Sequence, residues 1–538
     1  PLIWTSLWNS VTVAVIVALG SLVIGVALGG VVARFRFWGR PVLWALITAP
    51  AVVAPAWFAL GLLGLFDPSG PRGLGLLDSI ARAEGYSARI WPWLVWVWTA
   101  LIQGVALVVL TTRSAYGRLQ PFGQDAARLA GARPPRVWWT LTWPALRPPV
   151  ASAVYLVFMI NLADPAAPLV LGLRRTLGFQ MVATALGPDS FPRLAAIALI
   201  VLAITLAGRT LAWWRGGSIF DADIPPGDDR DAHKRQTQIA AWPRAAVSFL
   251  ILACWSLLAW VPVGGLLRMG LTPATYPDNA RRLSRLGVAD LLLRLTTDPA
   301  PRLLAHSAVL GLGVLALLCL LAWRPSRGPV GGMARGWRSA VALLAVLVPP
   351  LVAGAGVLAL GRTALLCSRF FVGSLEWTRG GLWMERIALA FDPFFLPGLL
   401  VFVGACLAFL PRRLASRLEP PGRYEASLRR ADQIRIAGAG RGRALWHVWR
   451  WARAIPLPAM VLWGTLVATA ITPALVLAPT LESRPIGPGI VILIDQPDDS
   501  RVQAAALALA VIVLDLLALG WASARVDRAG GLEAADLA

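Results

Sequence analysis

Two carboxylates stand inside long apolar stretches of this chain, and their position calls for a chemical reason. Asp164 lies in Leu162-Ala163-Asp164-Pro165-Ala166-Ala167-Pro168-Leu169, and Asp515 lies near the middle of a late apolar run. A charge at membrane depth is costly, so both are candidates for intramembrane polar positions on a transport pathway. For Asp164 the alternative is the outer end of a helix, in water. For Asp515 the alternatives are pairing with an arginine and reaching toward water. A proton- or sodium-coupled transporter would draw on the same two residues. The acidic pairs Asp228-Asp229 and Asp498-Asp499 would suit a membrane enzyme that gathers carboxylates on a loop, but they read as solvated turns. His233 sits in a charged linker and reads as solvated too. Cys254, Cys319, Cys367 and Cys406 show neither metal-ligand spacing nor a disulfide framework. No catalytic, cofactor or metal site is assigned.

What the chain lacks narrows its role. There is no G-x-x-x-x-G-K-[ST] phosphate loop, and the only lysine, Lys234, follows His233 without glycines around it. ATP hydrolysis by that route is excluded here, so any ATP and magnesium chemistry belongs to a partner chain. Composition speaks for a polytopic membrane protein: 538 residues, 57% hydrophobic and only 14% charged, with a mean hydropathy of +0.66. A formal charge of +22 would suggest nucleic acid in a soluble chain. Here the arginines gather in alternate loops, as the positive-inside bias requires, so nucleic-acid binding is not expected.

The elements that position these residues are apolar spans of crossing length. In the first half they fall at about 9–33, 42–66, 90–110, 149–171 and 194–214; in the second, at about 245–267, 303–323, 338–360, 388–410, 455–478 and 503–525. The first ends in Arg34, Arg36 and Arg40, which places that end in the cytoplasm. The second is broken by Pro50 and Pro55, and its freed carbonyls need partners from neighbouring helices or water. Trp91, Trp93, Trp96 and Trp98 on the third fit an interfacial aromatic belt.

Between the third and fourth spans runs a polar interruption, Gln124 to Pro148. Asp125, Ala126, Ala127, Arg128, Leu129 and Ala130 are helix formers with an acid in the first turn. Gly131 supplies a left-handed stop, and Pro134-Pro135 start a second helix. That second helix, Val137 to Leu141, is aromatic and amphipathic, suited to a membrane surface until Trp143-Pro144 turns the chain into the next span.

This stretch resembles the E-A-A loop of ATP-binding-cassette (ABC) importer permeases, with Asp125, Ala126, Ala127, Gly131 and Pro144 at the motif positions. Asp replaces Glu, and Trp143 stands where the motif has Leu. The resemblance implies a coupling helix seated in a groove of a cytoplasmic ATPase. It further implies two ABC ATPase subunits, a periplasmic or lipid-anchored solute-binding protein, and a multi-pass place among the lipids of the bacterial inner membrane. Leu162-Ala163-Asp164 resembles the L-A-D-F-G-x-P segment of the ferric-iron type, although Phe-Gly is missing. Ferric iron is therefore the cargo expected, with thiamine, phosphonate or another small solute as the alternative.

The second half repeats the first. Asn9-Ser10 and His306-Ser307 each open a span; breaks at Pro50 and at Pro349-Pro350 correspond; and Thr465 to Pro479 mirrors the Asp164 string without its carboxylate. Asp432 and Gly438 repeat the acid-to-glycine spacing of Asp125 and Gly131. Six spans separate the two loops, so both lie on one face and the repeat is parallel, unlike the inverted repeats of many secondary transporters. The expected architecture is all-α: lobe one at 1–217 with coupling loop 113–148, a cytoplasmic linker at 218–244, and lobe two at 245–538 with coupling loop 411–453. About 11 spans are expected, and the repeat implies that a first helix of lobe one precedes Pro1.

Overall fold

Apolar segments of this length fold as helices because, in hydrocarbon, only an internal ladder satisfies every backbone polar group. The computed structural model describes residues 2–36, 39–66, 87–117, 127, 129–186, 191–216, 238–239, 242–271, 292, 294–323, 465, 468–469, 471, 485–495 and 498–535. In chain order they form α1 (Leu2–Arg34), β1 (Phe35–Arg36), α2 (Arg40–Thr48), a 3-10 turn (Ala49–Ala51), α3 (Pro55–Phe66) and α4 (Ser87–Gly117). Next come α5 (Pro134–Val137), a π-helical stretch (Trp138–Thr142), α6 (Trp143–Leu162), α7 (Ala166–Val170), α8 (Leu177–Leu186) and α9 (Phe191–Gly216). Then follow β2 (Gln238–Ile239), α10 (Trp242–Leu271), α11 (Ala300–Trp323), α12 (Ile486–Asp495) and α13 (Asp498–Ala535).

The protein is a polytopic helical membrane protein. Among the described residues five helices are long and apolar enough to cross a membrane, or six if the bent pair α2–α3 is one span. The spans expected at 338–360 and 388–410 and the loop at 411–453 lie outside the described residues. The chain divides into two compact units, Pro1–Leu291 with Pro497–Leu509, and Leu292–Gln496 with Ala510–Ala538.

In the first unit α1, α4 and α6 pack against one another, and α10 lies along α2 and α3. Leu28, Val32, Leu43, Ile47, Val105 and Leu252 form one apolar cluster that ties α1, α2, α4 and α10 together. Trp4, Trp8, Leu19 and Val23 on α1 and Leu250 and Leu257 on α10 stay exposed, as lipid-facing positions do. Contact between α3 and α10 is close because both carry glycine there: a Cβ on Gly265 would collide with the Gly61 carbonyl oxygen, and one on Gly61 with that of Pro262. The two-residue strands β1 and β2 pair in parallel, Phe35 opposite Gln238 and Arg36 opposite Ile239.

The proline break behaves as the backbone chemistry requires. Pro50 has no N–H, so the carbonyl four residues earlier, that of Leu46, loses its helical donor. The Trp260 indole N–H of α10 donates to it at 2.9 Å. Inside the break, the Gln103 amide of α4 donates to the Val53 carbonyl at 3.3 Å. With those groups satisfied, α2 and α3 bend by 103°.

The aromatic-belt expectation for α4 needs correction at Trp96. Its side chain is fully buried, with Trp93 5.8 Å away, while Trp98 packs against Trp255 of α10 at 6.1 Å. Helical periodicity turns Trp96 toward the protein whatever its depth in the membrane.

In the second unit α11 packs on α12. A contact found in the first unit recurs there. The Leu177 N–H, at the start of α8, donates to Ser10 Oγ at 2.9 Å. The Ile486 N–H, at the start of α12, donates to Ser307 Oγ at 2.7 Å. Each serine directly follows a polar residue, Asn9 or His306, and each satisfies one orphan N–H of a helix entry.

Candidate coupling site

The polar turn after α4 is built from its backbone outward. Gly131 has φ of +79°, and nothing lies within 4 Å of where a Cβ would stand. The Ala132 N–H donates to the Ala127 carbonyl at 2.9 Å. A left-handed glycine followed by this six-to-one bond is a Schellman closure, which ends the short helix and satisfies one of its orphan carbonyls. Arg133 is extended at φ −66° and ψ 145° and leads into Pro134 and Pro135, the first residues of α5. Leu129 is 90% exposed at the tip. Asp125 and Ala126, and in the second loop Asp432 and Gly438, lie outside the described residues.

The chain does not turn at Trp143–Pro144, as the sequence suggested. Helix runs without interruption from Pro134 to Leu162 through the π-helical stretch, and exposed Pro144 sits in the first turn of α6. The widened turn is closed by the Trp143 N–H donating to the Trp138 carbonyl, five residues back. A π turn admits the extra residue inside the helix, so the direction change that proline usually signals is not needed.

Trp138, Trp139 and Trp143 collect on this widened turn. Trp138 stacks on Trp143 with ring centroids 5.6 Å apart, and Trp139 meets Trp138 edge-on at 4.7 Å. The Trp138 indole N–H donates to Tyr116 Oη of α4 at 3.4 Å. The Arg34 guanidinium at the end of α1 lies 5.2 Å from the centre of the Tyr116 ring, and that of Arg113 lies 4.0 Å over Trp44 of α2. Such contacts contribute about 0.5–2 kcal/mol each, depending on desolvation. Through them the turn is joined to the ends of α1 and α4 at the arginine-rich end of the unit. Sequence reasoning missed Tyr116 and Trp138 as members of this site; the signal available was an aromatic cluster beside the one stretch where glycine and proline interrupt the spans.

The two carboxylates, half-buried Asp164 and buried Asp515, have different surroundings. Asp164 lies in the break between α6 and α7, where its Oδ1 accepts the Ala166 N–H at 3.0 Å. This bond to the N–H two residues on is an Asx turn that leads the chain into α7. Gly172, at φ +67°, closes the other end, with the Leu173 N–H donating to the Pro168 carbonyl at 2.8 Å. Asp515, 1% exposed, lies 3.1 Å from the hydroxyl of Thr469. Among the described residues this threonine is its side-chain partner; a hydroxyl can be held at helix packing distance without bringing a second charge into the span.

Comparison with known proteins supplies the class. Over 215 residues the chain is 30% identical to the molybdenum transport system permease protein ModB of Mycobacterium tuberculosis, covering 38% of this chain and 77% of that protein. It is 28% identical over 208 residues to the putrescine transport system permease protein PotI of Escherichia coli, covering 69% of that protein. Against the sulfate transport system permease protein CysT of Salmonella typhimurium it is 24% identical over 220 residues, covering 77% of it. The chain belongs to the inner-membrane permease family of ABC transporters. No family model matches this permease, and no solved structure matches it significantly. Each relative aligns with well under half of the permease, whose multi-pass character agrees with an inner-membrane location.

Proposed function

We propose that this permease carries both lobes of a binding-protein-dependent importer in one chain and works by alternating access driven by two separate ATPase subunits. Asp125, Ala126, Ala127, Gly131 and Pro144 form the first ATPase-coupling site, and Asp432 and Gly438 belong to the second. ATP-driven closure of the ATPase pair moves the two sites together and shifts a two-state equilibrium between clefts open to either side of the membrane. The observation that carries this reading is the exposed Gly131 turn, linked through Trp138 and Tyr116 to α1 and α4. A displacement at the tip then has a stiff route into the spans.

For cargo, the Leu162-Ala163-Asp164 string favours ferric iron delivered by a periplasmic binding protein. A tetrahedral oxyanion is the second reading, favoured by relatives named for molybdenum, molybdate/tungstate and sulfate. Selection for either cargo is assigned to the binding protein. The test reconstitutes the permease with its ATPase and binding protein and measures ATP hydrolysis with the binding protein loaded in turn with ferric iron, molybdate, sulfate, thiamine, a phosphonate and putrescine. Stimulation by iron alone supports the first cargo and by an oxyanion alone the second. Cargo uptake that persists without any ATPase would overturn the coupling mechanism.

A further inference from the structure

We infer that the break between α6 and α7 binds a hard monovalent cation of the alkali type through Asn161 Oδ1 and Asp164 Oδ2. Asn161 is 2% exposed, and its Nδ2 donates to the Val157 carbonyl at 2.8 Å. That bond fixes the amide, because reversal would set Oδ1 against a carbonyl oxygen. Asn161 Oδ1 is left buried with no hydrogen-bond partner among the described residues. Three residues on, Asp164 gives its Oδ1 to the Ala166 N–H, and its Oδ2 is likewise buried without a partner. Two buried oxygens, both acceptors and neither with a donor among the described residues, are costly to leave so, and a bound cation offsets that cost.

The surroundings favour a cation. α6 ends at Leu162, so its last carbonyls and the negative end of its dipole face the same break. Donors on the neighbouring helix are engaged elsewhere: the Leu177 N–H with Ser10, the Phe179 N–H with Thr176 Oγ1 at 3.4 Å, and the Gln180 amide with the Arg174 carbonyl at 2.8 Å. Gly178 brings α8 so close that a Cβ would collide with the Asp164 carbonyl, which keeps the break narrow. The second unit provides the contrast. In the string that mirrors this one, the Thr469 hydroxyl lies 3.1 Å from Asp515 Oδ1 and 3.0 Å from the Thr465 carbonyl, so a side-chain donor stands beside the buried carboxylate there. Oxygen donors carrying one formal negative charge suit sodium or potassium better than a transition metal, which prefers nitrogen and sulfur.

The test follows the unfolding midpoint of the full chain purified in detergent, titrated with sodium chloride or potassium chloride against choline chloride at constant ionic strength. A saturable rise with an alkali cation, absent with choline and lost in both Asp164→Asn and Asn161→Leu, is the expected result. A midpoint that follows ionic strength alone, or an alkali-specific rise that survives in both variants, overturns the assignment. If either variant fails to fold, equilibrium binding of radioactive sodium and of a radioactive potassium analogue to the wild-type chain decides: displaceable binding supports the site, and none removes it.

Discussion

Gly131 makes the sharpest demand of any single residue in the coupling turn. Its φ of +79° is a backbone requirement alone, since a side chain there would meet no neighbour. Gly131→Asn should therefore be tolerated best, Gly131→Ala less, and Gly131→Val least, with a local penalty of about 1–2 kcal/mol for a bulky residue. All three should insert and fold, with cargo-stimulated ATP hydrolysis falling in that order; equal activity in all three would show that the turn's shape is immaterial. Trp260 makes a different demand. Trp260→Phe keeps an aromatic ring 6.3 Å from Phe58 but strips the Leu46 carbonyl of its donor. The expected loss is about 1–3 kcal/mol of stability, the cost of an orphaned polar group, read as a lowered unfolding midpoint in detergent. A midpoint equal to that of the wild type would mean that another donor reaches that carbonyl.

Among the elements, the α3–α10 crossing and the π-helical stretch carry the clearest consequences. Gly265→Leu puts a side chain where the Gly61 carbonyl oxygen already stands, so α10 must move away from α3. Overpacking of this kind costs about 1–3 kcal/mol or more, and the folded yield should drop, whereas Leu257→Ala on the lipid-facing side of α10 should leave it nearly unchanged. In the π-helical stretch, deletion of Trp139, the more exposed of its two tryptophans, should restore ordinary helix and rotate the turn relative to α6. Folding should survive while cargo-stimulated ATP hydrolysis is lost; hydrolysis at the wild-type level would make the widened turn dispensable. What could be read from the residues at this scale was what depends on neighbours in sequence. Gly131 as a helix stop, Pro134-Pro135 as a helix start and Pro50 as a source of an orphan carbonyl all follow from local backbone chemistry. The partners were illegible because they come from far along the chain: Trp260 lies 214 residues from Leu46, and Thr469 lies 46 from Asp515. Pro144 was misread for a local reason: whether a proline turns a chain or sits in a helix depends on the turn before it, here the π-helical stretch.

For the molecule as a whole, the account makes one polypeptide carry two cytoplasmic docking loops for ATPases that it does not contain. Both loops must then lie on the same side of the membrane, the side to which the arginines at the ends of α1 and α4 already point. The repeated serine contacts, Ser10 with Leu177 and Ser307 with Ile486, are what two copies of one helical plan would retain after their loops had diverged. The most direct test places a single cysteine at Leu129 or at Ala439, in a chain whose four native cysteines are replaced, and labels each with a membrane-impermeant maleimide. The account predicts that both label in inside-out vesicles, that neither labels in right-side-out vesicles, and that adding the ATPase protects both. Labelling of the two positions from opposite sides of the membrane would contradict it.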